Sequence, residues 1–82
     1  MATKLLFFAA LRDRVGQGER DAVLPAEVQT VAELRQWLEQ SIPQLHGRLV
    51  SVRFAVNEQF VSDEHRLGEH DVVALIPPVA GG

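Results

Sequence analysis

The sequence predicts an α+β domain in which one amphipathic helix lies across one face of a small mixed sheet. The chain has 82 residues, 46% hydrophobic and 23% charged, the size and composition of one globular domain. One helical stripe stands out, Val31, Leu34, Leu38 and Ile42 at i, i+3, i+7 and i+11. Around it lie short apolar runs of strand length, the most continuous of them near the two ends of the chain.

Leu5-Leu6-Phe7-Phe8-Ala9 is apolar, partly aromatic and too short for a helix, and reads as the first strand. Arg12 to Glu19 is polar, with Gly16 and Gly18 as turn residues. Asp21-Ala22-Val23-Leu24 is the second strand, closed by Pro25. Thr30-Val31-Ala32-Glu33 has the form of a capping box, so the helix starts there, and Pro43 stops it. Trp37 sits beside the stripe, where a packing role at the helix edge is expected. Pro43 to Gly47 is a connector with room for a single helical turn. Val50, Val52, Phe54 and Val56 alternate with Ser51, Arg53 and Ala55 in a third strand. Asn57-Glu58 turns the chain into a short fourth strand, Gln59-Phe60-Val61. Ser62 to His70 is polar, and Val72 to Ile76 is the last strand, ended by Pro77 and Pro78.

The predicted order is therefore β-β-α-β-β-β. The most apolar strands, first and last, belong in the middle, parallel and joined by a long crossover, with the helix diagonal on one face. That arrangement is a ubiquitin-like β-grasp. Residues 1–76 form the domain and 77–82 an extended C-terminal tail.

Composition excludes several classes of function. The formal charge is −3 and there is no basic run with interleaved aromatics, so no nucleic-acid partner is expected. No apolar stretch approaches the roughly 20 residues of a membrane helix, and no signal-peptide pattern opens the chain, so a cytoplasmic protein away from membranes is expected. The absence of cysteine excludes disulfides, thiol catalysis and cysteine-rich metal sites. Asp63-Glu64-His65-Arg66 and Glu69-His70-Asp71 match no metal-ligand spacing and read as solvated loops; His46 carries still less. No serine or threonine stands in a nucleophile-elbow context and no glycines form a phosphate loop, so no bound metal or cofactor and no self-sufficient active site are expected.

Two features do point to function. With Leu5 and Phe7 turned to the core, Leu6 and Phe8 face away from the helix, as do Arg53, Ala55 and Ile76, and Phe60 stands among polar residues. On so small a sheet these side chains are expected to merge into one apolar interface. The other feature is the ending Pro77-Pro78-Val79-Ala80-Gly81-Gly82. The prolines favour an extended approach. Fully stretched, Pro77 to Gly82 reaches roughly 20 Å. A Gly82 carboxylate with no neighbouring side chains fits a narrow site, where it can be adenylated and joined to sulfur or an amine.

Leu5-Leu6-Phe7-Phe8-Ala9-Ala10-Leu11-Arg12, Val56-Asn57, Phe60-Val61-Ser62, His65, Leu67 and Asp71 to Gly82 resemble the small subunit of molybdopterin synthase, essentially from end to end. The Pro-Pro-Val-small-Gly-Gly ending is the most specific part; family members often carry aromatics where this chain has Leu75-Ile76. The resemblance implies a non-catalytic sulfur-carrier subunit of the β-grasp fold. In that family an activating enzyme uses ATP to adenylate the last glycine, here Gly82, and a sulfur donor protein converts the adenylate to a thiocarboxylate. The tail then enters the large synthase subunit, in a heterotetramer of two small and two large subunits, and yields its sulfur to cyclic pyranopterin monophosphate, forming the molybdopterin dithiolene. By position, Phe8, Phe60 and Ile76 are implied to dock on partners, with Arg12 holding the tail or interface. Alternatives are the thiamin-thiazole sulfur carrier, against which the Pro-Pro-Val tail and Phe7-Phe8 argue, and a ubiquitin-like modifier of lysines. Lys4 is the only lysine, which counts against a modifier that forms chains.

Overall fold

The computed structural model describes residues 2–78. In chain order they form β1 (Ala2–Phe7), α1 (Ala9–Val15), β2 (Glu19–Val23), α2 (Val31–Ser41), a 3-10 turn (Pro43–Leu45), β3 (Arg53–Val56), β4 (Gln59–Phe60) and β5 (Val72–Ile76). The strands form one sheet in the order β2-β1-β5-β3-β4. β1 and β5 run parallel, Leu5 beside Val73 and Phe7 beside Leu75, and every other pairing is antiparallel. This is the ubiquitin-like β-grasp expected from the pattern.

The helix α2 begins where Thr30 and Glu33 predict. Thr30 Oγ1 accepts from the Glu33 amide, and Glu33 Oε1 accepts from the amides of Thr30 and Gln29. A cap contributes about 1 kcal/mol, whereas each fully buried aliphatic side chain contributes roughly 1.5–3 kcal/mol. Val31, Leu34, Leu38 and Ile42 are all buried against Leu5, Phe7, Phe54, Val73 and Leu75. Packing therefore holds an 11-residue helix that would be marginal alone. Trp37 packs at the edge of the same core.

Arg35 ties α2 to the far side of the domain. Its guanidinium donates to the carbonyls of Leu49 and Val52, pairs with Asp63 at 2.8 Å, and lies 4.7 Å from the centre of the Phe54 ring. The side chain is only one-fifth exposed, so these are sheltered, charge-assisted bonds. One buried hydroxyl among the described residues, Thr3 Oγ1, has no partner.

The structure corrects the sequence reading in four places. Arg12 to Glu19 is not all turn: Ala9–Val15 is a helix that buries Leu11 and Val15 and ends on Gly16 in the left-handed conformation. Ala9 opens that helix, with φ of 50°, and does not extend the first strand. β2 begins at Glu19, two residues earlier than expected. Val50 lies in a turn, 82% exposed, so the alternation that placed it inward holds only from Val52 onward.

Removing the Arg35 guanidinium strands two sheltered carbonyls and the Asp63 carboxylate. Arg35→Met is therefore expected to lower unfolding stability by about 2–3 kcal/mol, measured by urea denaturation; an unchanged midpoint removes Arg35 from this role. The capping box predicts a pH effect. Chiefly the Gln29 amide, with the Thr30 amide and hydroxyl and the charge of Arg66, holds the Glu33 carboxyl below its ordinary 4.5, against an opposing loss of hydration. A depressed carboxyl stabilises the fold above pH 4.5 and loses that contribution as pH falls through its lowered folded value. The stability advantage of the native chain over Glu33→Gln should thus be constant near neutrality and shrink below that point, read from denaturation midpoints across pH.

Candidate functional site

The helices and the 3-10 turn share one core on one side of the sheet, and among the described residues the other side carries no helix. Strand alternation assigns the open side its residues. One row across the sheet is Glu19, Leu6, Ala74, Ala55 and Phe60, each beside the next in register. The neighbouring row sets Ile76 beside Arg53. Phe8 is extended and directly follows Phe7, which stands beside Leu75 at the end of the β1–β5 register.

This row order joins the candidates named from sequence. Phe8 is 46% exposed and Phe60 53% exposed, while Leu6, Ala74 and Ile76 are half-covered. Ala55 faces outward as expected but is buried, because Phe60 and Ala74 flank its single methyl group. Arg12 projects from α1 across Gly18, where an added Cβ would stand 3.4 Å from the Arg12 Nε. Gly18 accepts from the Phe7 amide, so Arg12 flanks the Phe8 end of the face. Arg53 lies 4.0 Å over the Phe60 ring on the other flank. An apolar strip with a cation at each side thus surrounds the end of β5. Arg53 was legible from the sequence only as an outward residue; its stacking on Phe60 depends on the β3–β4 pairing.

β5 is anchored at its start as well. Asn57, with φ of 51° in the two-residue turn between β3 and β4, accepts from the Val72 amide at 3.0 Å and donates to Asp71 at 2.9 Å. Asp71 in turn accepts from the Gly68 amide, and its carbonyl accepts from Lys4. At the end of β5, Pro77 is half-buried and Pro78 exposed. Val79, Ala80, Gly81 and Gly82, which carry the rest of the predicted tail and its reactive carboxylate, lie outside the described residues.

The polar clusters disperse. Asp63 pairs with Arg35, Arg66 donates to Gln29, His70 approaches Glu69 at 3.9 Å, and His46 is exposed. Among the described residues no three His, Asp or Glu side chains form a metal-binding group, and no helix is long and apolar enough to cross a membrane. A shallow groove of about 400 Å³ over Ala2, Lys4, Asp21, Val23, His70 and Val72 lies at the opposite end of the open face from Phe8 and Ile76.

A β-grasp body whose open apolar face borders the root of a Gly-Gly tail defines a ubiquitin-like carrier. The chain belongs to the ThiS family, whose sequence pattern it matches over residues 5–82. It is 37% identical over 84 residues to the molybdopterin synthase sulfur carrier subunit of Escherichia coli, covering 96% of this chain and 98% of that one. Its fold matches the putative molybdopterin converting factor subunit 1 of Pyrococcus furiosus with a TM-score of 0.81 and 28% identity, over 96% of this chain and 99% of that one. It also matches, at 25% identity and a TM-score of 0.71 over the whole of both chains, a chain in the complex of subunits 1 and 2 of molybdopterin-converting factor from Helicobacter pylori.

Asn57→Ala removes two hydrogen bonds and leaves alanine in the left-handed region. A loss of about 2 kcal/mol is expected, together with faster amide exchange at Val72 than in the native chain. Unchanged protection at Val72 would show that the turn does not hold the strand.

Proposed function

We propose that this chain is the sulfur-carrier subunit of a molybdopterin synthase. The observation that carries the reading is an open apolar face converging on the strand that leads into Pro77-Pro78-Val79-Ala80-Gly81-Gly82. Likeness to the Escherichia coli sulfur carrier, at 37% identity over nearly the whole of both chains, supports it.

The Gly82 carboxylate is a poor acyl donor until one oxygen becomes a good leaving group. In the proposed cycle, an activating enzyme transfers the AMP portion of ATP to that oxygen and releases pyrophosphate. A sulfur donor protein then supplies sulfur at the carbonyl carbon, AMP departs, and Gly82 ends as a thiocarboxylate. The thiocarboxylate sulfur is the nucleophile that the large subunit directs at cyclic pyranopterin monophosphate; the bond it forms leaves a thioester to Gly82, and water then cleaves the acyl carbon–sulfur bond, so that Gly82 returns to a carboxylate and one dithiolene sulfur stays on the substrate. Phe8, Phe60 and Ile76 dock on these partners, with Arg12 at the edge, and docking raises the effective concentration of the tail end in the partner's site. The large subunit supplies the acids and bases, and the carrier binds no cofactor of its own. The assembly is two small and two large subunits in the cytoplasm.

Deleting Gly82, or adding one residue after it, is expected to abolish sulfur transfer in a synthase reconstituted with the large subunit while thermal unfolding stays unchanged. Protein isolated from its own cells should carry, at Gly82, the extra mass of one sulfur in place of one oxygen. A Gly82-deleted chain that transfers sulfur at the native rate refutes the proposal.

A further inference from the structure

The open face carries one charge that its apolar chemistry does not explain. Arg53 stands on β3 directly beside Ile76, the last strand residue before the prolines. A protein that covers the end of β5 must therefore cover Arg53 too. The guanidinium lies 4.0 Å from the centre of the Phe60 ring. Stacking on an exposed aromatic holds the head flat against the face and leaves its N–H edges available. The ion pairs among the described residues are Lys4–Glu19, Arg35–Asp63 and His70–Glu69, and none reaches Arg53.

We propose that Arg53 is the residue by which the docking face selects its partner, through a carboxylate that the partner sets against the Arg53–Phe60 stack. The inference rests on the docking reading above and adds to it a rule of exclusion. Closing the apolar strip strips water from the guanidinium, and a desolvated cation without an anion is strongly unfavourable. A partner with only an apolar surface is rejected at this point, while one with an Asp or Glu there gains a charge-assisted pair in a dry setting. Apolar area from Phe8, Leu6 and Ile76 then supplies attraction of low selectivity, and Arg53 supplies discrimination. A neutral residue in its place would leave an apolar face open to more partners.

The test is a calorimetric titration of the full chain with the large synthase subunit of the same organism, at several salt concentrations. Arg53→Met keeps the stem over Phe60 and removes the donors; Arg53→Lys keeps charge without the fork; Arg53→Glu reverses the charge; and Phe60→Asp disrupts the face itself. Thermal unfolding checks that each variant is folded. Arg53→Met is expected to weaken binding by roughly tenfold or more and to flatten its salt dependence. Arg53→Lys should retain part of the affinity, and Arg53→Glu should bind most weakly of the three. Arg53→Glu should regain affinity when the facing carboxylate of the large subunit is changed to arginine. If Arg53→Met binds within twofold of the native chain with the same salt slope while Phe60→Asp abolishes binding, the docking face stands and the role of Arg53 is overturned. If Phe60→Asp and the Arg53 variants all bind like the native chain, the docking reading fails, and this inference with it.

Discussion

The parallel pairing of β1 with β5 is the constraint on which the rest of the structure depends. It brings the first and last strands together at the centre of the sheet, with β2 on one flank, β3 and β4 on the other, and the helices of the crossover on one side. Leu5, Phe7, Val73 and Leu75 give that pair a fully buried inner surface. The same register sends Leu6, Phe8, Ala74 and Ile76 to the other side, since side chains alternate along a strand. A one-residue slip between β1 and β5 would turn one strand's inward residues to the open side, so burial of Leu5, Phe7, Val73 and Leu75 excludes it. A two-residue slip would keep the inward pattern, and burial alone does not choose between registers two residues apart. The hydrogen bonds from Asn57, Asp71 and Lys4 at the start of β5 fix the one in which Phe7 stands beside Leu75.

A chain of 82 residues has enough apolar side chains for one core and not for two. Both helices therefore go to one side, and the other is closed only by its own neighbours. Small residues make that workable. Ala55 and Ala74 lie in the middle of the row, where they expose little area, and the larger Phe8 and Phe60 stand at the margins. The face thus has small side chains at its centre and aromatic ones toward its margins, with Arg12 against Gly18 and Arg53 stacked on Phe60. A limited apolar area with charge beside it is the composition expected of a surface that associates and releases, as the proposed docking requires. Lys4 and the shallow groove occupy the far end of the same face, away from the root of the tail.

Much of this was legible from residue pattern. The Thr30–Glu33 cap, the stripe to Ile42 and the last strand from Val72 to Ile76 follow from local rules that tertiary packing did not override. Parallel central strands followed from their continuous apolarity. The helix Ala9–Val15 was hidden for a physical reason. It has two buried positions, Leu11 and Val15, no side-chain cap, and an apolar run directly before it, so its period is masked by the strand it follows. Its end was signalled by Gly16, which reads equally well as a turn. Val50 misled because alternation holds only while a chain is paired, and the Leu49–Val52 turn breaks it. Among the site residues, Phe8, Phe60 and Ile76 were readable from facing direction. The positions of Arg12 over Gly18 and Arg53 over Phe60 were not, because each depends on contacts between segments whose pairing no local pattern encodes.

A fixed root also limits what the tail can serve. Ile76 stands beside Arg53 of β3, and the residue before it, Leu75, stands beside Phe7 of β1, so its position moves with the sheet. From Pro77, six residues reach at most roughly 20 Å when fully extended. An acceptor site that receives Gly82 while the open face is covered must therefore lie within about that distance of the Ile76–Arg53 contact. Two proline residues narrow the backbone choices over the first part of that span. In the proposed cycle, Gly81 and Gly82 present no side chain that a narrow acceptor site would have to accommodate. That proposal depends on a point of departure which the β1–β5 and β3–β5 pairings hold.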